Sequence, residues 1–167
     1  MCMKTRKILL ILIAGLAFFS SCKEKSDIDA LPPATQVGAN TFGCLKNGQV
    51  YKCSGLLDTS DIFNLQPEGC CFYYDRENVV LLARINNPLA NLSIRFPKPR
   101  GIGTITEGIR YSGQDADTDY DSKIVITRFD NNIISGTFQM KITWDDGSTS
   151  TITDGRFDMR HEKDNNK

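Results

Sequence analysis

The sequence predicts an all-β fold, an antiparallel meander of about nine short strands closed as a lipocalin-like barrel or folded as a β-sandwich, behind an N-terminal export segment. Three observations carry this reading. From Thr41 onward apolar residues recur at every second position, and no segment sustains a helical period. Turn signals rich in Asn, Asp and Gly separate the alternating runs: Asn47-Gly48, Asn131-Asn132 and Asp145-Asp146-Gly147. A chain of 167 residues, 40% hydrophobic and 9% aromatic, has enough apolar material for one real core.

The chain begins with Lys4, Arg6 and Lys7, a basic head, followed by an apolar run from Ile8 to Phe19 interrupted only by Gly15. That run is too short for a spanning helix, which needs about 20 residues, and suits the about 7–15 of an export signal. Phe19-Ser20-Ser21-Cys22 then places small residues before a cysteine, resembling a bacterial lipobox. The resemblance makes residues 1–21 a signal peptide and Cys22 the acylated first residue of the mature chain. Several acyl chains anchor a protein stably where one binds marginally. Lys23 after the cysteine resembles lipoproteins passed on to the outer membrane, with the domain facing the periplasm or the surface.

Charge narrows the function classes. The whole chain carries 20 basic and 20 acidic residues. The leader takes three basic residues and no acidic one with it, which leaves the mature chain at a net charge of −3. Neither value suits a nucleic-acid binder, which needs a basic surface. Residues 22–38 are polar and carry Pro32-Pro33, so they read as the lipidated N-terminus and a stiff tether.

The all-β domain is expected over residues 39–161, with a polar tail at 162–167. Thr41 to Lys46 and Gln49 to Cys53 flank Asn47-Gly48, a two-residue hairpin turn that needs positive φ at both positions. Such a turn sets Leu45 opposite Val50, Cys44 opposite Tyr51 and Phe42 opposite Cys53, and it puts Phe42, Cys44, Tyr51 and Cys53 on one face. Cys70 to Asp75 and Val79 to Asn86 are strands about a turn at Arg76-Glu77-Asn78. Ala90 to Phe96 alternates with Leu92, Ile94 and Phe96 inward, and Pro97 and Pro99 end it. Ser122 to Asp130 and Ile133 to Trp144 follow, the second with Phe138, Met140, Ile142 and Trp144 on one side. In the last strand, Ser148 to Met159, strict alternation puts Ile152 and Phe157 on opposite faces. A bulge at Asp154-Gly155 returns Ile152, Phe157 and Met159 to one face.

Leu31-Pro32-Pro33-Ala34-Thr35-Gln36, Gly38-Ala39-Asn40-Thr41-Phe42-Gly43-Cys44 and Asn47-Gly48 resemble the opening of an uncharacterised Bacteroidota lipoprotein family, domain of unknown function 6252. Ile134-Ser135-Gly136-Thr137-Phe138 and Ile152-Thr153-Asp154-Gly155-Arg156-Phe157-Asp158 resemble its closing strands. The resemblance covers the two ends of the mature domain. It implies a small all-β lipoprotein and transfers no active site.

Cys44, Cys53, Cys70 and Cys71 remain in the domain once Cys2 leaves and Cys22 is acylated. An oxidising compartment makes disulfides the first reading, and four cysteines allow three connectivities. Adjacent Cys70 and Cys71 cannot bridge without distorting the backbone. A bridge from the first hairpin to Cys70 or Cys71 is therefore expected, with buried thiols as the alternative. Zinc would need paired C-x-x-C spacing, which is missing. Asp115, Asp117, Asp119 and Asp121 alternate, but Tyr120 and Ile126 stand where a calcium loop places Gly and Glu, so a solvated acidic loop is the expectation. His161 sits at the start of the polar tail, too loosely held for a catalytic triad. Gly101-Ile102-Gly103 precedes strand-like sequence and is no phosphate loop. Tyr73, Tyr74, Tyr111, Tyr120 and Trp144 read as core before they read as a binding surface. The expected function is a non-catalytic envelope lipoprotein that binds a small ligand, a glycan or a protein, with no cofactor, metal or nucleic acid. A structural subunit docked on an outer-membrane complex is the alternative.

Overall fold

The computed structural model describes residues 27–57, 68–111, 117–118, 122–130 and 132–161. The leader, Cys2, Cys22, the tail 162–167 and Asp115, Asp119 and Asp121 lie outside the described residues. Asp117 is described only as strand backbone. No helix among the described residues is long and apolar enough to cross a membrane.

Among the described residues, eleven strands follow a short 3-10 turn at Asp27–Ala30: β1 Thr41–Lys46, β2 Gln49–Ser54, β3 Gly69–Asp75, β4 Asn78–Asn86, β5 Leu89–Pro97, β6 Gly103–Ile105, β7 Arg110–Tyr111, β8 Asp117–Thr118, β9 Lys123–Phe129, β10 Ile133–Thr143 and β11 Thr149–Arg160. The larger sheet runs β2-β1-β11-β10-β9-β6, with β8 also paired to β10, and the smaller runs β3-β4-β5-β7. Every ladder within the sheets is antiparallel. The sheets do not close into a barrel, so the sandwich is the architecture realised. The smaller sheet opens as the expected meander. The larger does not, because β1 lies between β2 and β11 and so joins the two ends of the domain.

Side-chain periodicity dictates the faces. The first hairpin has Leu45 opposite Val50, Cys44 opposite Tyr51 and Phe42 opposite Cys53, with φ of 51° at Asn47 and 80° at Gly48. The β10–β11 ladder shifts register between Phe138 and Met140, where Asp154 stands at φ 53°. That bulge lets Ile152, Phe157 and Met159 all enter the core. Gly155 is required beside it: a Cβ there would lie 2.6 Å from both the ring and the carbonyl oxygen of Phe138.

The two inner faces share one core. Phe42, Phe72, Phe96, Ile94, Ile124 and Met159 are among its fully buried side chains. The Phe42 and Phe138 rings stack at 5.4 Å between centroids, with Phe157 a further 6.2 Å from Phe138. Two single bridges, Leu56 with Cys70 and Phe72 with His161, join the larger sheet's chain to β3 along one seam.

Candidate functional site

The outer face of the larger sheet carries a strap. Residues 31–39 lie across it, although composition assigns most of them to the tether. The strap has no strand partner, so its backbone groups need other bonds. Cations on the sheet supply the donors. Lys52 Nζ donates to the Ala30 carbonyl at 2.9 Å and Arg156 Nη1 to that of Pro32 at 3.3 Å. Arg128 donates to the Gln36 carbonyl, and Arg160 to those of Gly38 at 2.8 Å and Val37 at 3.3 Å. Pro32 packs over Gly43 so closely that a Cβ there would come 2.5 Å from its Cδ. Glycine at this point of β1 therefore admits the strap.

Asp158 is the fixed point of this arrangement. It is only 1% exposed, and its carboxylate accepts five hydrogen bonds. Thr35 Oγ1 donates at 2.6 Å and Ser135 Oγ at 2.7 Å. The amides of Val37, Gly38 and Ala39 donate at 3.0, 2.8 and 3.1 Å. Burial acts to raise its pKa, but the hydrogen bonds from Thr35, Ser135 and the Ala39 and Gly38 amides outweigh it and hold the carboxyl at about 2.

Beside the strap lies a groove of about 380 Å³. Ladder register places its floor. Lys123 stands opposite Gln139 and Val125 opposite Thr137 across β9 and β10, and Arg156 follows Thr137 across β11. Next in that row comes Gly43, under the strap. Ala34 of the strap forms one wall, and Asp154 and Gly155 of the bulge form another side. The lining thus offers two cations, one carboxylate, an amide and a hydroxyl, on a shelf open to solvent.

The other candidate residues fall elsewhere. Among the described residues the structure holds no disulfide, so the expected bridge from the first hairpin is not formed in it: Cys44, Cys53 and Cys70 are buried thiols. Cys71 is buried on the opposite face of β3, outside the core cluster that takes Cys70. Burial pushes the Cys44 thiol up to about 12, against the pull of Lys46. His161 is not a loose tail residue. Its backbone N–H bonds Asn132 at 2.9 Å, and its ring packs edge-on to Phe72 at 5.1 Å and against Tyr74 at 5.0 Å. Trp144 and Tyr111 meet edge to face at 6.2 Å under Lys46 Nζ. Burial raises the Tyr111 pKa, as does the nearby Cys44. No group of three or more His, Cys, Asp or Glu side chains among the described residues is arranged to hold a metal ion.

Sequence reasoning missed Asp158 and the strap. The alternation Arg156, Asp158, Arg160 marks an outward, charged face. Nothing in that pattern says that a distant segment returns to cover it. No family model, no curated protein and no solved structure matches the chain. Its likeness to the lipoprotein family rests on the quoted motifs alone.

Proposed function

We propose that this chain is a lipid-anchored, non-catalytic binding protein of the outer membrane that takes a polar ligand, a glycan segment, in the groove beside the strap. The observation that carries the reading is the groove itself, floored by Lys123, Thr137, Gln139 and Arg156 in ladder register and walled by the strap. Hydroxyl-rich chains are held by such donors and acceptors on a rigid sheet. The two inner faces share one cluster of buried side chains, which favours an external site over an internal ligand cavity.

Titration of the labelled chain with neutral and carboxylated oligosaccharides, followed by amide shifts, tests this function. Shifts clustered at Lys123, Thr137 and Arg156 that vanish in Thr137→Trp support it. Shifts confined elsewhere, or none with either series, refute it. Mass spectrometry of the mature N-terminus tests the anchor separately, because an unacylated terminus or a start other than Cys22 removes it. The accessory-subunit reading draws on Leu89 and Ile102, 84% and 77% exposed on the smaller sheet's turn and the loop before β6. Co-purification of one stoichiometric membrane partner, lost when both become serine, would favour that reading.

A further inference from the structure

We propose that Cys53 and Cys70 are a disulfide-forming pair that joins the two sheets covalently at the seam between β2 and β3. The pairing depends on the exported location proposed above, because disulfides persist in oxidising compartments.

The geometry selects this pair. Cys53 lies on β2, an edge strand of the larger sheet, and Cys70 on β3, an edge strand of the smaller. Just past β2 the chain runs beside β3. The Cys70 amide donates to the Gly55 carbonyl at 2.9 Å, and the Leu57 amide to the Cys70 carbonyl at 3.3 Å. The Cys53 thiol donates to the Gly69 carbonyl at 3.4 Å, so its sulfur sits against the backbone that carries Cys70. Both side chains enter the shared core, where the neighbouring Cys53 thiol and burial together raise the Cys70 pKa.

The pairing of Cys44 with Cys53 fails on distance and the pairings of Cys71 fail on direction. Cys44 stands opposite Tyr51, which makes it a diagonal neighbour of Cys53. Diagonal positions in an antiparallel pair lie about 7–8 Å apart, whereas a disulfide needs Cβ atoms about 3.5–4.5 Å apart. Cys71 points to the opposite face of β3 from Cys70.

The chemistry is thiol–disulfide exchange with a disulfide-bearing oxidant. The thiolate of one cysteine attacks a sulfur of the oxidant's disulfide and releases the oxidant's other sulfur as a thiolate. The second cysteine, as thiolate, attacks the mixed disulfide and displaces the remaining oxidant sulfur. Two electrons pass to the oxidant, which takes up the two thiol protons and leaves as a dithiol. Cys53 is 4% exposed and Cys70 fully buried, so exchange takes place while the seam is open, during folding after export.

The test refolds the full chain in detergent with oxidised and reduced glutathione and maps its cysteines by fragmentation. The expected product has one bridge, Cys53 to Cys70, present in Cys44→Ser and Cys71→Ser and absent in Cys70→Ser. It should melt about 10 °C above the reduced chain. A bridge through Cys44, or unlinked thiols in refolded wild-type chain, overturns the pairing. Mapping wild-type chain taken from cells separates this from the location. A bridge in cells supports both. A bridge in glutathione with reduced cysteines in cells supports the pairing and overturns the export.

Discussion

Asparagine at position 158 would preserve the side chain's shape while removing the charge on which five donors converge. In the folded protein those donors are the Thr35 and Ser135 hydroxyls and the amides of Val37, Gly38 and Ala39. With asparagine, one acceptor oxygen becomes an NH₂ group that faces donors. The size of the effect follows from the pKa. The folded carboxyl titrates at about 2, against an ordinary value of 3.8. That difference corresponds to about 2 kcal/mol favouring the folded state near neutral pH. The sign is that of a depressed carboxyl: the contribution is complete above pH 4 and disappears as pH falls through 2. Asp158→Asn should therefore lose about 2 kcal/mol at pH 7, and Asp158→Ala about 3, because alanine leaves buried donors without any partner. Urea unfolding from pH 7 down to pH 2 checks both numbers, and the gap between wild type and Asp158→Asn should close over the last two pH units. Hydrogen exchange adds a local readout, since protection at Val37, Gly38 and Ala39 should fall first. A variant within about 0.5 kcal/mol of wild type at pH 7, or a gap that stays constant with pH, would refute the clasp.

Three further outcomes follow from the packing. Gly43→Ala should cost about 1–3 kcal/mol and free the strap, because the new methyl meets Pro32 at 2.5 Å; proteolysis within residues 31–39 measures the release. Phe42→Ala should lose about 3–5 kcal/mol in urea unfolding, since the ring is buried and stacked on Phe138. Cys44 should resist alkylation at pH 8 in the folded chain and react at once in denaturant, because its pKa is pushed up to about 12; pulse labelling with mass spectrometry reads the difference.

The strands were legible wherever a side chain's direction is a local property. Asn47-Gly48 specifies its hairpin because few other residues tolerate two positive φ angles, and that turn carries the whole first register with it. The Asp154-Gly155 bulge was legible because Ile152 and Phe157 could share a face in no other way. Which of Cys70 and Cys71 stands beside the first hairpin was not legible, because only the meeting of β2 with β3 tells the two apart. His161 was misread because its partners, Phe72 and Tyr74, are remote in sequence.

Local chemistry was thus sufficient for the all-β class, the main turns and the inward faces. Period and turn geometry act over a few residues, and a single chain displays them directly. The pairing of β1 with β11, the choice of sandwich over barrel and the site itself arise from contacts between distant segments. Asp158 and Thr35 are 123 residues apart, and Asp158 becomes a clasp only when β1 and β11 meet and the strap folds back over Gly43. Residues 31–39 look like tether because their partners are not their neighbours. Their bonds are made with side chains that the fold alone brings to them.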